Sequence, residues 1–203
     1  MSKKALTPDE RKSLLWLSRA SIQSAVEGKL LPVLPPEQVT EELKAKGASF
    51  VTLTIGGNLR GCIGALEAYQ PLMEDVQEHA VASALEDYRF PPVSLSEVPH
   101  LEIEISRLTA PVRLEYASVE QLPHLLRPRV DGVILRDGMQ RATFLPQVWE
   151  QIPDPEDFLS HLCAKMGARP TLWRTKKLDV YTYQVEEFSD SEEKNNDWVE
   201  QEN

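Results

Sequence analysis

Apolar residues recur along the first thirty positions with the spacing of one helical stripe, in which Leu14, Leu15, Ile22, Ala25 and Val26 share a face. Ahead of them Thr7-Pro8-Asp9-Glu10 supplies an N-cap, a proline at the first helical position and a capping-box glutamate. A helix is therefore predicted to about Glu27, with Gly28 ending it. Pro32, Pro35 and Pro36 mark an extended connector, and residues 37–46 read as a short polar helix closed by Gly47. The period then drops to two. Residues 50–55 and 59–63 alternate around Gly56-Gly57-Asn58, which predicts a β-hairpin. Leu72, Val76, Ala80 and Ala84 define a second helix over residues 71–85, with two alanines that permit close approach to a sheet. In residues 101–108, Leu101, Ile103 and Ile105 take one face of a strand while Glu102 and Glu104 take the other.

Further along, Ser118 and Gln121 read as the cap of a short helix, and residues 132–136 and 139–145 form a second hairpin around Asp137-Gly138. Asp154-Pro155 opens a helix through about Met166, ended by Gly167, and residues 178–187 read as a final strand. Hairpins interleaved with helices predict an α+β fold, mostly antiparallel sheet with flanking helices, and not a doubly wound parallel sheet.

Composition narrows the class without naming a chemistry. The chain has 203 residues, 41% hydrophobic and 27% charged, which suits one domain or two small lobes and excludes disordered and fibrous classes. No apolar run approaches a membrane span and residues 1–6 lead into no secretory segment, so a cytoplasmic protein off the membrane is expected. The net charge of -10 is concentrated at one end: from Glu186 to Asn203 there are eight acids and one lysine, which leaves -3 for the rest. Residues 189–203 are accordingly expected to be an acidic, disordered tail. The overall charge disfavours nucleic acid as a partner, and the basic stretch of Lys165, Arg169, Arg174, Lys176 and Lys177 reads either as a soluble edge, the commoner case, or as a patch for an anionic substrate or phosphate. Two cysteines, Cys62 and Cys163, form no CxxC pair, and the four histidines have no metal-ligand spacing. No metal or cofactor is called for, and phosphate-cradling glycine loops and a serine-hydrolase elbow are absent.

The first hairpin carries the best candidate chemistry. Its apolar faces meet only if paired residue numbers have an even sum, which a three-residue loop provides by setting Ile55 against Leu59, Leu53 against Gly61 and Val51 against Ile63. The opposite face then presents Thr54 beside Arg60 and Thr52 beside Cys62, over backbone left bare at Gly61 and Gly64. A guanidinium two residues from a thiol on one face favours the thiolate, which makes Cys62 and Arg60 the candidate catalytic pair. A buried cysteine with glycines that permit tight packing accounts for the same spacing. Asp87 and Arg89 read as an ion pair that fixes a loop or reaches a cleft, and Gln147, just after Pro146, as a ligand contact or a backbone cap. Thr52, Thr54, Gly61, Gly64, Arg89 and Gln147 complete the candidate binding residues, while Glu102 and Glu104 are assigned to a solvated sheet face.

Leu59-Arg60-Gly61-Cys62-Ile63-Gly64 resembles the signature of the AMMECR domain family, named for the AMME syndrome candidate gene, whose bacterial and archaeal members are called AmmeMemoRadiSam system protein A. Phe50-Val51-Thr52-Leu53 precedes the signature as it does in the family, and Asp87-Tyr88-Arg89-Phe90-Pro91-Pro92 is similar to the family's D-x-R-F-x-P element. The segment 101–108, Leu145-Pro146-Gln147-Val148, Phe158-Leu159 and Cys163-Ala164-Lys165 follow in the family's order, so the resemblance spans about residues 8–188. Trp149 and Met166 depart from the smaller residues usual there, which bears on helix packing.

The resemblance implies one AMMECR-type domain over residues 1–188, with a larger and a smaller lobe and the signature at the cleft between them. It also implies association with Memo-like and radical SAM proteins of a modification pathway. Two functions follow as expectations. One is a thiol-dependent enzyme or enzyme component acting on an anionic small molecule, with His161 as a base supplied from elsewhere. The other is a non-catalytic binding or scaffold protein for the partner enzymes.

Overall fold

The structure, a computed structural model, describes residues 5–191. The acidic tail expected over 189–203 therefore lies, from residue 192 onward, outside the described residues. The chain divides into two compact units: residues up to Thr109 together with those from Glu186 onward, and the contiguous stretch Ala110–Val185.

In the first unit, helix α1 spans Pro8–Val26 and its capping box forms as the sequence requires, with the Thr7 hydroxyl accepting from the Glu10 N–H and the Glu10 carboxylate accepting from the Thr7 N–H. Strands β1 (Ser49–Ile55) and β2 (Asn58–Gly64) form the hairpin, helix α2 spans Leu72–Leu85, and strand β3 spans Glu102–Leu108. Strand β1 pairs antiparallel with both β2 and β3, and its inward residues Val51 and Leu53 are fully buried. They pack with Ile103 and Ile105 against the stripes of the two helices, Leu14, Leu15 and Ile22 from α1 and Val76, Ala80 and Ala84 from α2. The polar helix expected over 37–46 is shorter and broken, into a 3-10 turn Pro36–Gln38 and a single helical turn Glu41–Lys44 capped by the Thr40 hydroxyl.

The second unit has its own sheet. Strands β4 (Gly132–Asp137) and β5 (Gln140–Phe144) form the second hairpin, and helix α3 spans Pro155–Lys165. Strand β6 (Asp179–Tyr183) pairs antiparallel with β4. Asp154 caps α3 by accepting from the N–H groups of Glu156 and Asp157. The core of this unit collects Val133, Leu135, Val180, Phe158, Leu159, Leu162 and Cys163. Trp149, one of the departures from the family pattern, is buried there: it stacks on Phe158 with centroids 3.7 Å apart and donates its indole N–H to the Asp131 carbonyl. Ser118 makes no side-chain cap; the Gln121 side chain accepts from the Ala117 N–H instead.

The single strand expected over 178–187 is two strands. Strand β6 ends at Tyr183, and a new strand, β7 (Val185–Ser189), joins the sheet of the first unit, whose order is β7–β3–β1–β2. The sheet of the second unit has the order Val112–Arg113, β6, β4, β5. Val180 belongs to one core and Phe188 to the other. An uninterrupted apolar alternation carries no mark of that change of sheet.

Candidate functional site

The hairpin closes more tightly than a three-residue loop would allow. Gly56 and Gly57 form a two-residue turn, both at positive φ (56° and 77°), which matches the twist of paired strands. Ile55 stands opposite Asn58 and Thr54 opposite Leu59; the register then shifts, and Leu53 faces Gly61, Thr52 faces Cys62, Val51 faces Ile63 and Phe50 faces Gly64. Arg60 is the extra residue of this β-bulge, which restores the parity that keeps apolar faces together. Three of the expected pairs, Leu53–Gly61, Thr52–Cys62 and Val51–Ile63, hold, while Ile55 faces Asn58 and not Leu59. The expected neighbours Thr54 and Arg60 do not face one another, because the bulge takes up the odd residue that the sequence reading placed in the loop.

Each remaining part of the signature has a packing or hydrogen-bonding task. A Cβ at Gly61 would overlap the backbone carbonyl of Ser83, so α2 rests directly on β2. The Ser83 hydroxyl accepts from the Ile63 N–H (2.8 Å) and donates to the Val51 carbonyl (2.7 Å), bridging the two strands. A Cβ at Gly64 would overlap the Phe50 ring and the Ser49 carbonyl. The guanidinium of Arg60, which spacing sets beside the sulfur, is turned onto Glu97 (2.8 and 3.3 Å) and the carbonyls of Pro91 and Pro92 (2.8 and 3.3 Å). That contact, with the Ser94 N–H and hydroxyl, lowers the Glu97 carboxyl to about 2.

Strand β2 is at the edge of its sheet, and side chains replace a further strand at Cys62. The buried Asp87 carboxylate accepts from the Cys62 N–H (2.9 Å) and from Arg89 Nε and Nη2 (2.9 and 2.6 Å); Arg89 Nη2 also donates to the Cys62 carbonyl (3.0 Å). Arg89 holds the Asp87 carboxyl well below the usual carboxylate range. The expected ion pair thus forms, and it grips both backbone groups of Cys62.

The Cys62 side chain itself is half-buried, with the Thr52 hydroxyl 3.4 Å from its sulfur. The ladder sets Glu104 across from Thr52, so β3, β1 and β2 carry a carboxylate, a hydroxyl and a thiol in one cross-strand row. The next row sets Glu102 across from Thr54, whose hydroxyl lies 3.4 Å from that carboxylate. Glu102 and Glu104, assigned from the sequence to a solvated face, share the face of the thiol. Their period-two spacing held the signal; the strand they would pair with was not readable from it. Asp87, Glu97 and Ser83 were likewise outside the sequence-derived site. Gln147 belongs to the second unit, exposed in the 3-10 turn Pro146–Glu150, and takes part in none of these bonds. His161 is also in the second unit, exposed on α3, with Nδ1 2.9 Å from the Asp157 carbonyl. Cys163 is fully buried, and that burial raises its thiol above the ordinary value. Among the described residues no group of three or more His, Cys, Asp or Glu side chains is placed to hold a metal ion, and no helix is long and apolar enough to cross a membrane.

The site can therefore present a thiol on a backbone fixed at its N–H and carbonyl, flanked by one hydroxyl and one guanidinium. A family model described as AMMECR1 matches residues 15–188, the hairpin and both units included. The chain belongs to the AMMECR1 family. Among similar AMMECR1 relatives, a protein of Methanothermobacter thermautotrophicus is 36% identical over 184 residues, covering 90% of this chain and 95% of its own. Protein MJ0810 of Methanocaldococcus jannaschii is 33% identical over 190 residues, covering 92% and 93%. The crystal structure of protein PH0010 from Pyrococcus horikoshii is similar with a TM-score of 0.74 at 34% identity, covering 91% of this chain and 93% of that one. The α+β fold and the AMMECR1 membership expected from the signature both stand.

Proposed function

We propose that this AMMECR1-family chain is a thiol-dependent enzyme, or enzyme component, of the modification pathway that its resemblance links to Memo-like and radical SAM proteins, and that it works in the cytoplasm. The observation that carries this reading is a subtraction. Gly61, Gly64, Arg60, Asp87 and Ser83 each answer to packing or backbone hydrogen bonding. Cys62 is held in place by that effort without being needed by it, and a half-exposed thiol on a fixed strand suits a nucleophile or covalent tether. Partial modification of the folded protein with iodoacetamide, mapped by mass, tests it: Cys62 labels well before the buried Cys163. Labelling of Cys163 first, or silence of both until unfolding, removes the thiol reading.

The alternative, a non-catalytic scaffold for the same partner enzymes, is favoured by the commitment of Arg60 to Glu97. Pull-downs against co-encoded Memo-like and radical SAM proteins separate the two. Capture that is unaffected by Cys62→Ser, with no chemistry lost, supports the scaffold.

A further inference from the structure

Arg89 offers five N–H donors, of which three are engaged: Nε and one N–H of Nη2 by Asp87, and the second N–H of Nη2 by the Cys62 carbonyl. Among the described residues nothing accepts from Nη1, and the side chain is 43% exposed. Arg60 is the reverse case, 13% exposed and bound through all three of its nitrogens. We propose that Nη1 of Arg89 is the carboxylate-binding group of the Cys62 site, so that the ligand is a small carboxylic acid seated beside the Cys62 sulfur. This inference rests on the thiol reading above and moves anion recognition from Arg60 to Arg89.

Three features support it. The guanidinium is anchored on the residue it would serve, through the Cys62 carbonyl at 3.0 Å, so its free edge is fixed relative to the Cys62 backbone before any ligand arrives. Guanidinium N–H groups meet carboxylate oxygens in charge-assisted bonds, stronger than neutral ones. The remaining charges on this face, Glu102 and Glu104, repel anions. These carboxylates, and Asp87, which balances the Arg89 charge, oppose anions, so recognition here has to come from directed N–H donors and not from net charge. Two donors on one nitrogen suit a singly charged carboxylate; a phosphate, with about two charges and three acceptor oxygens, needs more.

The test compares two alkylating reagents of nearly equal size on the full chain: iodoacetate, a carboxylate, and iodoacetamide, its neutral amide. The ratio of their rate constants at Cys62 is set against the same ratio for glutathione. The expected ratio is about tenfold above that of glutathione, the effect of one hydrogen bond to a charged group. Arg89→Gln returns the ratio to the glutathione value, and Arg89→Lys, which keeps the charge without the fork, leaves it between the two. Circular dichroism checks that the variants fold; if they do not, the wild-type ratio decides alone. A ratio at or below that of glutathione overturns the subsite while leaving the thiol reading intact. Failure of both reagents to reach Cys62 before unfolding overturns both.

Discussion

Glycine 61 is the residue on which the site turns. Its missing side chain lets the Ser83 backbone lie against β2, and the obstacle there is a main-chain carbonyl that cannot rotate away. At Gly64 a Cβ would meet the Phe50 ring, which can swing, and the Ser49 carbonyl, which cannot. Gly61→Ala, which meets the nearer of the two carbonyls, is therefore expected to cost about 3 kcal/mol, at the upper end of overpacking, and Gly64→Ala about 2 kcal/mol. Urea denaturation of the two variants checks the order, and equal losses would mean that α2 adjusts freely. Spacing alone left the role of Gly61 open between a bare floor for a ligand and a packing contact, because the helix that covers it begins eleven residues later in sequence.

At the level of elements, the segment between α2 and β3 has little regular structure yet is pinned at both ends, by Asp87 with Arg89 at one and by Arg60 with Glu97 at the other. Both carboxyls are held below their ordinary values, Glu97 from 4.5 to about 2. A carboxyl depressed in the folded state stabilises it above the ordinary value and loses that contribution as pH falls toward the folded one. Unfolding midpoints should therefore drop between about pH 4.5 and 2, and Glu97→Gln should flatten part of that drop. An identical pH profile in the variant would show that the latch holds nothing. The sequence made the elements themselves legible wherever a local signal ends them: the capping box of α1, the two glycines of the hairpin, the Asp154 cap of α3. It hid the bulge at Arg60, because an odd loop satisfies the same parity, and it hid what depends on partners distant in sequence, namely the row that sets Glu104 beside Thr52 and the break at Gln184.

For the whole molecule, two separate cores mean two separable losses. Phe158 is buried between Trp149 and Phe144, and Phe158→Ala should cost about 3–5 kcal/mol. Amide exchange should then rise first within residues 110–185, while amides of β1 and β3 keep their protection; a uniform rise would make the two units one cooperative body. The connectivity also orders events in time. The first unit is interrupted at Thr109 and resumes at Glu186, whose carboxylate accepts from the Leu6 N–H, Arg11 and Arg107. A ribosome adding 5–20 residues per second takes roughly 4–15 s to cross the 76 residues of Ala110–Val185. By the end of that interval the intervening unit has all of its own core, while α1 and β3 still wait for the strand that carries their shared carboxylate. A nascent chain released at Val185 thus lacks β7 past its first residue, with the Phe188 side chain of the first core, and lacks the carboxylate that α1 and β3 share, a substrate for quality control rather than a smaller version of the protein.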